Sequence, residues 1–131
     1  MSRIIVKAIG ISLAGLMACN PFAPDQSEML EVDGLNAPSS IASGSSLIVS
    51  MSVRTGGCTI FDHIAVLRLE SSAHFVAIGR NTAKGRPNVV CPAVVRSDVH
   101  TYTLSPPFQS PFTVKVESPT LPTLTTTVVV Q

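Results

Sequence analysis

The sequence predicts an all-β chain, a small antiparallel β-sandwich of about six or seven strands, on three observations. Apolar and polar residues alternate with period two in several stretches, as in Leu47, Val49, Met51 and Val53. Prolines fall between those stretches rather than inside them, at Pro106-Pro107, Pro111, Pro119 and Pro122. Beyond residue 19 no segment combines a 3.6-residue apolar period with helix-capping residues.

The first element is not part of that fold. Arg3 and Lys7 form a cationic start, and Ala8 to Ala18 carry no charge and are mostly apolar. That run is well short of the ~20 residues a helix needs to cross a bilayer. A charged flank followed by a short apolar core is the pattern of a signal peptide, here residues 1–18. The run ends in Leu16-Met17-Ala18-Cys19. Leu at −3, a small residue at −1 and then Cys resembles the lipidation motif of bacterial lipoproteins, with Met17 departing from the usual residues at −2. The resemblance implies cleavage before Cys19 and lipidation of its thiol. Such lipoproteins carry two or three acyl chains, and two are enough for stable anchoring. The expected location is the cell envelope, facing outside the cytoplasm. Asn20 rather than Asp follows the cysteine, which points to the outer membrane where the host has one.

Residues 19–33 are expected to be the lipidated cysteine and a flexible tether. They contain two prolines and no clear period, although Met29-Leu30 could dock as a first strand. Asp25, Glu28, Glu31 and Asp33 crowd this stretch with no base among them. Residues 34–131 form the expected domain, with seven bases against four acids. That excess is too small and too scattered for a nucleic-acid partner.

Within the domain, Leu47 to Arg54 alternates cleanly, and so does Phe112 to Glu117. Ile60–Glu70 and His74–Asn81 are apolar runs around Ser71-Ser72-Ala73, which reads as a hairpin. Val94–Leu104 is long enough to hold a bend near Ser97-Asp98. Leu124–Val130 is rich in Thr and Val, whose branched side chains suit a pleated surface. The chain has no Trp, so the core must rest on Val, Ile, Leu and Ala.

With Cys19 lipidated, Cys58 and Cys91 remain, and an exported chain meets an oxidising compartment in which they should pair. The sandwich is expected to be immunoglobulin-like in architecture, yet the bridge is not the antibody type. Such domains pack a Trp on the bridge and place a Tyr two residues before the second Cys, where this chain has Val89. There is no Cys-x-x-Cys and no His at zinc-ligand spacing from either cysteine.

Asp98, His100 and Tyr102 are spaced two apart and share a strand face, which reads as a polar outer surface. Asp62 and His63 are adjacent, so a regular strand points them to opposite faces. The stretch from Gly79 to Arg86 superficially resembles a phosphate loop. Five residues separate Gly79 from Gly85, and Arg86 stands where Lys is required. No nucleophile elbow and no His-Glu-x-x-His occurs.

Gly56-Gly57-Cys58, Phe61-Asp62, Gly79-Arg80, Cys91 and Pro106-Pro107-Phe108 with Pro111-Phe112 together resemble small secreted or lipid-anchored bacterial domains. The resemblance covers residues 45–117; it implies a disulfide-stapled β fold and transfers no activity. The expected function is a lipid-anchored, non-catalytic envelope module with a structural or protein-interaction role. Its partners would be the membrane, through Cys19, and an envelope protein. No cofactor, catalytic residue or metal site is assigned. The alternative is a periplasmic module that binds a small ligand or metal through His63, His74 or His100.

Overall fold

The computed structural model of the chain describes residues 26–131. The expected signal peptide, Cys19 and the first part of the expected tether lie outside the described residues. Nine strands follow in order: β1 Gln26–Met29, β2 Val32–Asn36, β3 Ser40–Ile41, β4 Leu47–Gly56, β5 Thr59–Arg68, β6 Ser72–Asn81, β7 Val95–Leu104, β8 Phe112–Glu117 and β9 Leu124–Val130. Among the described residues there is no helix.

The strands form one curled sheet, a half-barrel. In one half, β4 is flanked by β2 and β7, both antiparallel to it. In the other, β6 pairs with β5 on one edge and with β1 and β8 on the other, and β9 continues beyond β8. The halves join where Gly56 pairs with Thr59 across the Gly57-Cys58 turn. Gly57 has φ +62°, the left-handed conformation that such a tight turn demands and glycine adopts without cost.

The period-two stretches supply the core. Leu47, Val49, Met51 and Val53 of β4 are buried, and so are Phe112, Val114 and Val116 of β8. Ala73, Phe75 and Ala77 of β6 and Val128 of β9 lie in the same half as β8 and face the β4 residues across the core. Full burial of a side chain such as Phe75 or Leu47 contributes about 1.5–3 kcal/mol. All buried side chains among the described residues are apolar.

Several expectations are corrected. Among the described residues the strands number nine, because β1, β2 and β3 are too short to show a period. Pairing is mixed rather than antiparallel throughout: β6 with β8 and β3 with β9 run parallel. The chain leaves β6, crosses to the other half as β7 and returns as β8, so β6 and β8 point the same way. The acidic stretch expected as tether is sheet from Gln26 onward, and its Leu30 and Val32 are buried. The strand whose length could hold a bend near Ser97-Asp98 runs unbent in its pairing, since β7 pairs with β4 over ten residues without a register shift.

The half-barrel is closed on one side only. There, Val32 N–H donates to Ser118 Oγ at 2.9 Å. Next to it, Glu31 accepts from the Thr120 N–H and hydroxyl and from the Leu121 N–H, at 2.7–3.0 Å. On the other side β5 and β7 lie opposite each other without a ladder between them.

Candidate functional site

A local irregularity shapes one wall of the open side. The register of β5 against β6 shifts between Phe61 and His63, leaving Asp62 as a bulge residue. Regular alternation would turn either Phe61 or Ile64 outward. The extra residue lets both pack against the core. The bulge also swings Asp62 beside its neighbour, so Asp62 Oδ2 and His63 Nδ1 are 2.7 Å apart. The expectation of opposite faces therefore fails at this position. Arg80 completes the outer-surface group, its Nε 3.3 Å from the other Asp62 oxygen.

Across the opening, the β7 face expected to be a polar exterior turns inward. Its partners on β4 are the buried ones: Leu104 opposes Leu47, Tyr102 opposes Val49 and His100 opposes Met51. Tyr102 meets Phe75 edge-on at 5.5 Å, and His100 stacks on Phe61 at 3.7 Å. Asp98 contacts Arg96 at 3.5 Å, not His100. Phe61, His63 and Ile64 on one strand and Val99 to Tyr102 on the other line a groove of about 510 Å³.

Cys58 and Cys91 form a disulfide, with sulfurs 2.04 Å apart and Cα atoms 5.1 Å apart. It ties the β4–β5 turn to the loop between β6 and β7. The same turn holds Thr82, whose N–H and hydroxyl both donate to the Cys58 carbonyl at 2.9 Å. Beside the bridge lies an open cleft of about 500 Å³, lined largely by apolar groups such as Met29, Leu30, Pro92 and Val94. Its acids are engaged. Glu28 accepts from the Thr59 hydroxyl at 2.7 Å. The Thr120 hydroxyl, helped by the Leu121 and Thr120 N–H groups and the Arg54 charge, outweighs the opposing effect of burial and holds the Glu31 carboxyl below its usual range.

On the outer face of β2, β4 and β7, Arg54 Nε donates to Asp33 at 2.8 Å and Ser97 Oγ donates to the same oxygen at 3.0 Å. The Arg54 hydrogen bond, with help from the Ser52 and Ser97 hydroxyls, lowers the Asp33 carboxyl from 3.8 to about 2. At the far end of the half-barrel Arg68 lies over Phe108, 4.6 Å from the ring centroid, and donates to the Ser105 and Pro107 carbonyls.

The three histidines sit on three strands and are not brought together as a ligand set: among the described residues no group of three or more His, Cys, Asp or Glu could hold a metal ion. His74 lies opposite Leu67 on β5, four pairs along from the position of His63. In the stretch that resembled a phosphate loop, Gly79 to Asn81 finish β6 and Thr82 begins a turn. The Phe61–His100 contact and the unpaired β7 edge were missed by sequence reasoning. Phe61 and Ile64 at a three-residue spacing inside an apolar strand was the one available sign of the bulge. Comparison with protein-family models, curated proteins and solved structures returns no match for this chain.

Proposed function

We propose that this chain is a lipid-anchored cell-envelope protein whose β module acts without catalysis, by contact with another envelope component. Cys19 carries the anchor and holds the module at the membrane surface. The observation that supports a contact role is the open side of the half-barrel, where β5 and β7 each present a ten-residue strand with one edge free of a ladder for most of its length. Free edges carry unpaired N–H and C=O groups, and a partner strand satisfies them. In this reading the module is an immunoglobulin-like sandwich opened along that side, its two strand groups turning apolar faces to one core.

The proposal is tested in cells. A photoreactive residue at Val99, on the full-length chain, should trap an envelope protein. Mass measurement of the mature N-terminus should find an acylated Cys19. An unmodified N-terminus, or a trapping pattern no richer than from Thr125 on the far side, would remove the respective half of the reading.

A second reading, a small-ligand module, draws on the largely apolar cleft beside the disulfide. It predicts a raised melting temperature with an apolar ligand and no effect of such ligands after Ala93→Arg. A flat melting screen argues against it.

A further inference from the structure

We propose that the partner of the β7 edge is a second copy of this chain, paired antiparallel to it about a two-fold axis at Ser97. The inference rests on the contact role proposed above and names its occupant.

The two free edges differ in how they are protected. On β5 the edge is broken by the bulge at Asp62, a device that discourages strand addition. On β7 there is no bulge, no proline and no lysine, and its register against β4 is uninterrupted. Val95 and Val99 are 75% and 69% exposed, although both belong to a paired strand.

The ladder itself gives the direction of the free groups. Gly57 N–H donates to Val94 C=O, while Arg54 N–H donates to Glu31 C=O on the opposite edge of β4. Odd-numbered residues of β4 therefore bond towards β7, and their partners on β7 are the even-numbered ones. Val95, Ser97, Val99, Thr101 and Thr103 must then turn their backbone N–H and C=O groups outward, to the free edge.

One self-pairing uses these groups and the side chains together. With Ser97 opposite Ser97 of a second copy, Ser97 exchanges both backbone bonds with its counterpart. Val95 falls opposite Val99, another hydrogen-bonded pair. Between them Arg96 falls opposite Asp98, twice by symmetry. These are non-hydrogen-bonded pairs, where Cα atoms approach to ~4.5 Å and side chains interact most closely. Arg96 and Asp98 are well exposed in the single chain and 3.5 Å from each other, so both charges are available at the edge. The sequence Val95-Arg96-Ser97-Asp98-Val99 is thus complementary to itself in size and in charge, as an isologous interface requires.

The test uses the full-length chain in the envelope. Ser97→Cys places one thiol on the proposed axis, and a short thiol-to-thiol crosslinker should give a dimer that Thr125→Cys does not. In the Ser97→Cys background, Arg96→Glu alone sets two carboxylates opposite each other and should lose most of the dimer. Asp98→Arg alone sets two guanidinium groups opposite each other and should do the same. Co-expressed with different tags, the two variants should crosslink to each other at near wild-type yield, because in the mixed pair one acidic strand faces one basic strand. Circular dichroism of each variant verifies that the fold is kept. Two outcomes overturn the inference. One is a Ser97→Cys chain that stays monomeric; the other is single variants that dimerise as well as wild type. If a photoreactive Val99 still traps a different envelope protein, the contact role stands and only the second copy is lost.

Discussion

His100 lies flat against Phe61, with ring centroids 3.7 Å apart and planes 18° from parallel, although the two belong to strands with no ladder between them. The stack is the side-chain bridge across the open side of the half-barrel. Stacked aromatic pairs contribute about 0.5–1.5 kcal/mol beyond the area they bury. A double-mutant cycle of Phe61→Ala and His100→Ala, read by urea unfolding, should return a coupling in that range. Strict additivity would mean that the rings are neighbours without mutual stabilisation.

The disulfide should carry a large share of the stability. Cys58 and Cys91 are 33 residues apart in sequence, and in the chain-entropy account closing such a loop stabilises by about 3–4 kcal/mol. Replacing both cysteines by serine should lower the urea midpoint accordingly. The loss should be shared with Thr82, which holds the same turn through the Cys58 carbonyl. Mass mapping without reductant should find neither cysteine alkylated.

Acid should weaken the outer face of β2, β4 and β7. The Asp33 carboxyl is held at about 2 in the fold, against 3.8 when free of its partners. A lowered folded value means stability that is present in full above pH about 4 and lost as pH falls towards 2. The group is partly solvated, so screening limits the effect to about 1 kcal/mol or less. Asp33→Asn should therefore be slightly less stable than wild type at pH 6, and the gap should narrow as pH falls to 2. Urea curves for both proteins at several pH values check this. Glu31 should behave with the same sign, since its carboxyl is also held down in the fold.

Gly79 should tolerate a side chain poorly at its place in β6. A Cβ there would lie 2.6 Å from the Ile60 carbonyl oxygen and 2.6 Å from Leu30 Cδ2. The side chain could yield, but the backbone carbonyl is part of the β5–β6 ladder. Gly79→Ala should cost about 1–3 kcal/mol by overpacking. Gly85, with nothing near its Cβ position but φ +79°, should lose less on the same change. Thermal melts of the two variants decide between them.

How much of this was legible in the chain depends on how local each feature is. Alternation marked β4 and β8 because the side chain's face is set by the strand's own geometry. The hairpin of β5 and β6 was legible for the same reason, and so was the pairing of Cys58 with Cys91 once Cys19 was counted separately. The face of Asp98, His100 and Tyr102 was not legible. Period two states that three residues share a side and is silent on which side is inward. Here packing decided, because Tyr102 and His100 reach Phe75 and Phe61. The acids near the start read as spacer because their partners Thr59, Arg54 and Thr120 lie far along the chain.

The sequence by itself determined that the described residues form an all-β domain, that its core is mostly aliphatic and that two cysteines staple it. Those properties follow from side-chain chemistry and from a period that each strand carries alone. Only the tertiary structure decided that β6 and β8 run parallel, that Asp62 forms a bulge and that β7 is left with an open edge. Each of these is a relation between segments distant in sequence, settled by which apolar faces could be buried together.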